Sequence, residues 1–206
     1  MNGNSSAVHP RFTRVGYKGS MFVRILSLFL AAALCGAAGA AERPLALDRA
    51  QSRIEIVVKA TFDSFTGRLE AFDPSVTLDD AGRIAGARVA FHFRDVLTGK
   101  PKRDKAMHEW QHTEEFPDGE FVLRSLLTGQ DGQIRANGRL SFHGVASEIT
   151  FPVSVTRQET LYAIDGDAAV DVRDFGLPAI RMMGLLKVDP VVHVKFHLQG
   201  RDGDAR

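Results

Sequence analysis

The sequence predicts an all-β fold, an antiparallel up-and-down barrel of about eight strands with one or two short helical inserts. Three observations predict it. Apolar residues recur at every second position through most of the chain after residue 50, the period of strands buried on one side only. Turn signals rather than helical stretches separate these runs, so hairpins connect them and neighbours pair antiparallel. A sheet of that size curls and closes, because closure removes its exposed edges.

Taken in chain order, the first element is a leader. Residues 1–40 have no acidic side chain; they carry Arg11, Arg14, Lys18 and Arg24, then an apolar run from Ile25 to Leu34 and a small-residue tail ending Ala38-Gly39-Ala40. That order is the pattern of a secretory signal peptide, with cleavage expected near Ala40 or Ala41. The apolar run is well short of the ~20 residues that span a bilayer. Met21 directly precedes the compact part, so residues 1–20 are either a long basic region or an upstream start that is not used. Residues 41–206 are expected to form one barrel domain with a substantial core.

The strands follow as Arg53 to Ala60, Gly67 to Phe72, Arg88 to Arg94, Glu120 to Leu127, Gln133 to His143, Ile149 to Val155, Leu161 to Val172 and Val192 to Leu198. In the third, Val89, Phe91 and Phe93 share a face opposite Arg88, His92 and Arg94; in the last, Val192, Val194, Phe196 and Leu198 oppose His193, Lys195 and His197. Asp80-Ala81-Gly82 and Asp131-Gly132 mark turns, the second being a strong hairpin cue. Two stretches break the alternation. One is Pro101 to Pro117, a helical insert stopped by Pro117; the other is Pro178 to Lys187, rich in Leu and Met. Both are expected across barrel ends. A barrel of ~8 strands is wide enough to enclose one elongated apolar ligand.

Composition excludes several functions. Cys35 is the only cysteine and lies in the leader, so the mature chain has no disulfide, thiolate nucleophile or cysteine-bound metal. Lipidation of Cys35 would need a small residue before it, and Leu34 is not small. After residue 40 there are 22 basic against 25 acidic residues, a net charge of −3, with no basic stripe for a nucleic-acid partner. Trp110 and Tyr162 are the only Trp and Tyr there, too few for the aromatic girdles of a membrane-embedded barrel. No G-x-S-x-G elbow, Walker loop or dinucleotide-binding glycine pattern occurs, and Glu114-Glu115 reads as a solvated helix end. No catalytic residue and no cofactor is expected.

His108-Glu109-Trp110-Gln111-His112 matches H-E-x-x-H, in which two histidines four apart on a helix share a zinc ion and the glutamate activates its water. At this composition the string arises by chance in about one chain in a hundred. On a helical wheel Ala106, Met107 and Trp110 cluster opposite the histidines, which turns the apolar side to the barrel and the histidines to water. The extended motif would put Gly at 115 and His at 118, where Glu115 and Asp118 stand. No metal site is therefore expected. His193 and His197 lie about 13 Å apart along one strand face, too far to share an ion.

Several strings, in order, resemble the YceI-like family of secreted bacterial proteins. They are Phe65-Thr66-Gly67-Arg68, Arg103-Asp104 ahead of Phe116-Pro117, Gly138-Arg139-Leu140-Ser141-Phe142-His143-Gly144-Val145 running through Ile149 to Phe151-Pro152-Val153, Asp174-Phe175-Gly176, and Val188-Asp189-Pro190-Val191-Val192. The resemblance covers about Ser52 to Leu198. It departs at Ala106 and Met107, where the family often has His and Leu, and at Val172, where it often has Arg. It implies a lipocalin-like barrel that binds polyisoprenoid or related lipid chains.

The expectation is a periplasmic, non-enzymatic carrier of a long apolar lipid, a polyprenyl or quinone-type isoprenoid, as a monomer or homodimer with transient membrane contact. Alternatives are a structural or stress-related barrel with no stored lipid, and a zinc hydrolase using His108, Glu109 and His112. Alternation selects Phe91, Phe93, Phe121, Leu123, Phe142, Phe151, Val194 and Phe196 as lining positions. Met107, Trp110, Met182 and Met183 are expected to close an end, since Met adapts to irregular ligands. Arg103 or Arg181 is expected to meet a polar headgroup, an ordinary surface ion pair being the bland alternative.

Overall fold

The computed structural model describes residues 42–61, 64–182 and 186–203, without the side chains of Arg181, Met182 and Leu186. The expected leader over residues 1–40 and Met183 lie outside them. Period-two segments become the staves of a barrel. The first stave is β1 (Arg43–Leu47) and β2 (Arg53–Lys59), interrupted where the Asp48 carboxylate accepts from the Ala50 N–H at 2.9 Å and closes a turn. The second is β3 (Ser64–Leu69) and β4 (Phe72–Leu78). The third is β5 (Ile84–His92), a 3-10 turn over Phe93–Asp95, and β6 (Val96–Leu97). Helix α1 (Pro101–Gln111) follows, then β7 (Asp118–Thr128), β8 (Ile134–Phe142), β9 (Val145–Gln158) and β10 (Leu161–Asp171). The pair β11 (Arg181–Met182) and β12 (Leu186–Lys187) lies ahead of β13 (Val191–Asp202).

Each stave pairs antiparallel with the next, and β13 closes on the first stave through Phe196↔Ile54 and Leu45↔Asp202. The expected barrel of eight antiparallel staves with one short helix is present. Two sequence expectations are corrected, the end of the helix and the run Gly67 to Phe72. The helix ends at Gln111, well before Pro117, because His112 adopts a left-handed conformation at φ 53°. Pro178 to Lys187, which breaks the alternation, supplies the β11–β12 pair among its described residues. The run Gly67 to Phe72 straddles the break between β3 and β4, so most of β4 and all of β1 went unforeseen. Pro74 disguises β4. Because β1 pairs with β4 only through Arg43 and Pro44, Pro74 lies beyond that ladder, where its missing N–H costs nothing.

One end of the barrel is a packed plug. Leu45, Val76, Leu78, Tyr162, Ile164 and Leu198 form a buried cluster there, and the Tyr162 hydroxyl donates to the Gly82 carbonyl at 2.8 Å. Tyr162→Phe should leave that carbonyl without its donor and cost about 1–2 kcal/mol in urea denaturation, with an unchanged m-value. The staves join beside this plug. Asp202, its side chain fully buried, receives Arg43 through Nε–Oδ1 at 3.1 Å and Nη2–Oδ2 at 2.9 Å, while Arg43 Nη1 donates to the Asp79 carbonyl at 2.6 Å.

The outer face carries cross-strand polar pairs: the Arg88–Glu120 ion pair at 2.5 Å, and hydrogen-bond contacts of His197 Nδ1 with Asp165 Oδ1 at 2.7 Å and His193 Nδ1 with Asp167 Oδ1 at 2.9 Å. A lipid-facing barrel presents an apolar band instead.

Candidate functional site

In each stave the inward side chains are the apolar half of the alternation, yet many are not packed. Ile56, Val89, Leu123, Leu140 and Val194 face inward and are only half-buried. They border a cavity of about 580 Å³ running through the barrel. Volumes of ~300–1,000 Å³ are those of small-molecule sites.

The openness of the lumen has a local cause. Phe91 pairs with Gly119 on β7, and Phe196 pairs with Gly166 on β10. A Cβ on either glycine would collide with the facing ring, so each ring lies flat along the neighbouring strand and not across the axis. Glycine weakens a strand, and here a ring covers it. The lumen stays clear.

At the plug end the buried cluster around Tyr162 seals the cavity. At the other end α1 lies across it, presenting Arg103, Ala106, Met107 and Trp110 to the wall, opposite Pro178 to Ile180 and Val188 to Pro190 of the β10–β13 connection. Trp110 Nε1 donates to the Pro178 carbonyl at 3.2 Å and ties helix to connection. Beneath α1, Phe142 stacks on Phe93 with ring centres 5.5 Å apart and meets Phe175 at 5.6 Å.

Of the residues selected from the sequence, Phe91, Phe93, Phe121, Leu123, Phe142, Phe151, Val194 and Phe196 line the cavity, as do Met107 and Trp110 on α1. Phe93 does so from the 3-10 turn, since β5 ends at His92. Met182 falls in β11 without a described side chain, and Met183 is outside the described residues. Sequence reading missed Phe65, Leu140 and Ile149 on the wall, although all three satisfy the same alternation. It also missed Gln111, which is fully buried: its Nε2 donates to the Phe116 carbonyl at 2.9 Å and its Oε1 accepts from Thr113 at 2.6 Å. These bonds hold the chain as it leaves α1. No periodicity marks such a residue.

The H-E-x-x-H string is pulled apart by the same helix end. His108 is half-buried, edge-on to Phe93 with its Nδ1 3.3 Å from Thr113 Oγ1, while His112 is exposed and non-helical. The expectation that both histidines face water is thus corrected for His108. Among the described residues no three His, Cys, Asp or Glu side chains are grouped to hold a metal. His143 sits in the β8–β9 turn and faces the Phe175 carbonyl at 2.9 Å through Nδ1, which must carry the proton because a carbonyl only accepts. His193 and His197, too far apart to share an ion, are each paired with an aspartate, Asp167 and Asp165.

Two carboxyls are held below the ordinary range. Asp79 is lowered by the backbone N–H and then the side chain of Arg83, and Asp171 by the Arg173 side chain. Both close turns outside the cavity wall.

A closed antiparallel barrel around an apolar lumen is the architecture of lipocalin-like ligand-binding proteins. A family model, the YceI-like domain, matches residues 45–200, and the chain belongs to that family. Among solved structures, Burkholderia cenocepacia BcnA superposes with a TM-score of 0.66 at 21% identity, over 75% of this chain and 99% of that one. A polyisoprenoid binding domain from Saccharophagus degradans gives 0.59 at 20% identity, over 79% and 98%. The YCEI protein of Campylobacter jejuni gives 0.60 at 12% identity, over 70% and 88%. These likenesses concern the fold. A comparison with curated proteins returns no match by sequence.

Proposed function

We propose that the protein is an exported carrier that holds one long apolar lipid, an isoprenoid of the polyprenyl or quinone type, inside the barrel without any covalent step. The observation that carries this reading is the lumen itself: about 580 Å³ bordered by apolar side chains left half-buried. Burying apolar chain there contributes ~25 cal/mol per Å². Membership of the YceI-like family supports the reading, as does the fold shared with a polyisoprenoid binding domain. The basic, apolar and small-residue order of residues 1–40 supports export to the periplasm. Phe91, Phe93, Phe121, Leu123, Phe142, Phe151, Val194 and Phe196 contact the chain of the ligand, and Met107 and Trp110 close over it. The α1 end is the route of access, because a helix and a connection yield more readily than a packed plug.

Organic extraction of protein purified from its own periplasm, followed by mass spectrometry, should return one lipid per barrel. Delipidated protein should take up an added isoprenoid. Absence of both would leave the structural-barrel reading standing and remove the carrier.

A further inference from the structure

The cavity wall is apolar except at the α1 end, where Arg103 and Asp189 are its only ionisable residues among those described. Asp189 is occupied with the fold. Its Oδ1 accepts from the Val191 N–H at 3.0 Å and its own N–H donates to the Lys59 carbonyl at 2.8 Å, which sets the turn into β13. Arg103 has no such task. Its guanidinium stands 4.4 Å from the Phe65 ring centre, a contact that uses the face of the cation and leaves its N–H donors unspent. Its Nε is fully buried, and among the described residues no acceptor reaches it. The adjacent carboxylate, Asp104, is engaged elsewhere, accepting from the Thr98 N–H at 2.8 Å and the Thr98 hydroxyl at 2.5 Å.

A buried cationic donor is costly unless an acceptor meets it, and a planar fork of N–H groups matches two oxygens on one centre. The surroundings favour negative charge. Lys100 and Lys102 are exposed at the start of α1, Lys105 there pairs with Glu109 at 3.7 Å, and Lys59 and Lys187 are exposed where β2 and β12 meet the connection, on a mature chain whose net charge is −3. Such a local field steers an anion to this end.

Resting on the carrier reading above, we propose that the ligand is an amphiphile with an anionic oxygen head, a carboxylate or a phosphate, seated on Arg103 beneath α1 with its tail along the lumen. Arg103 then selects the head, and the apolar wall selects the tail. The Phe65 ring holds the guanidinium in place for that contact.

The test uses the full delipidated mature chain and three probes sharing one geranylgeranyl chain: the carboxylic acid, the monophosphate and the alcohol. Wild type should bind the two anions about ten- to hundredfold more tightly than the alcohol. The stronger of the two anions identifies the head. R103M should bring both anions to the level of the alcohol, and R103K, which keeps the charge but loses the fork, should retain part of the preference. Equal binding of all three probes by wild type overturns the proposal while the carrier reading stands. So does an R103M protein that still prefers the anions. If wild type binds none of the three, the carrier reading itself falls. The wild-type comparison needs no variant to fold.

Discussion

Ala87→Trp should weaken binding of a long-tailed lipid by roughly 200-fold while leaving the barrel closed. Ala87 lies on β5 opposite Val76, faces the lumen near the plug end, and is half-buried although its side chain is a single methyl. The space beyond it is open lumen. An indole there displaces about four methylenes of a bound chain, and at ~0.8 kcal/mol each that removes about 3 kcal/mol, or roughly 200-fold in affinity. Loss should be greatest for long tails, which reach the plug, and smaller for short ones. Titration of the delipidated protein with isoprenoids of increasing length reads this directly. Overpacking costs about 1–3 kcal/mol of stability, so thermal unfolding should still show one cooperative transition. Undiminished affinity for a long chain would place the ligand outside the barrel.

Asp202→Ala should be the most destabilising single change considered. The carboxylate is fully buried and receives two bonds from Arg43, whose side chain is 22% exposed. Removing it takes both carboxylate bonds from a largely buried guanidinium, and breaking a buried pair in this way costs about 3–5 kcal/mol. In a domain of this size that lowers Tm by roughly 10 °C. The location makes the loss structural as well as local, because β1 and β13 join the first stave to the last through Leu45↔Asp202. Replacing both partners by apolar residues of similar volume should recover much of the loss, since no buried charge then loses its carboxylate. If Asp202→Ala unfolds at the wild-type temperature, the pair does not hold the seam.

Much of the barrel is legible in the sequence, and the gaps have physical causes. The inner face of β5, β9 and β13 is read directly from alternation, because a strand buried on one side has no other pattern. Pro74 hid β4, since proline argues against a strand unless its nitrogen, which lacks a donor, faces an unpaired side. The end of α1 was misplaced because Pro117 is the visible stop, whereas the actual stop at His112 is held by hydrogen bonds to Glu109 and His108 carbonyls. Those bonds depend on how the chain folds back. The histidine string lost its chemical meaning for the same reason, as only His108 belongs to the helix.

By itself the sequence determined that this protein is a closed antiparallel barrel, which side chains point inward, and that the family is YceI-like. Period-two alternation assigns each side chain to a face, and that is enough for a fold. It says nothing about depth. Whether inward phenylalanines meet at the axis or lie along the wall depends on what stands opposite them, and only the strand register set Phe91 over Gly119 and Phe196 over Gly166. Tertiary structure therefore decided that the barrel is hollow, and it placed Arg103 at the α1 end of that lumen with a donor no neighbour accepts.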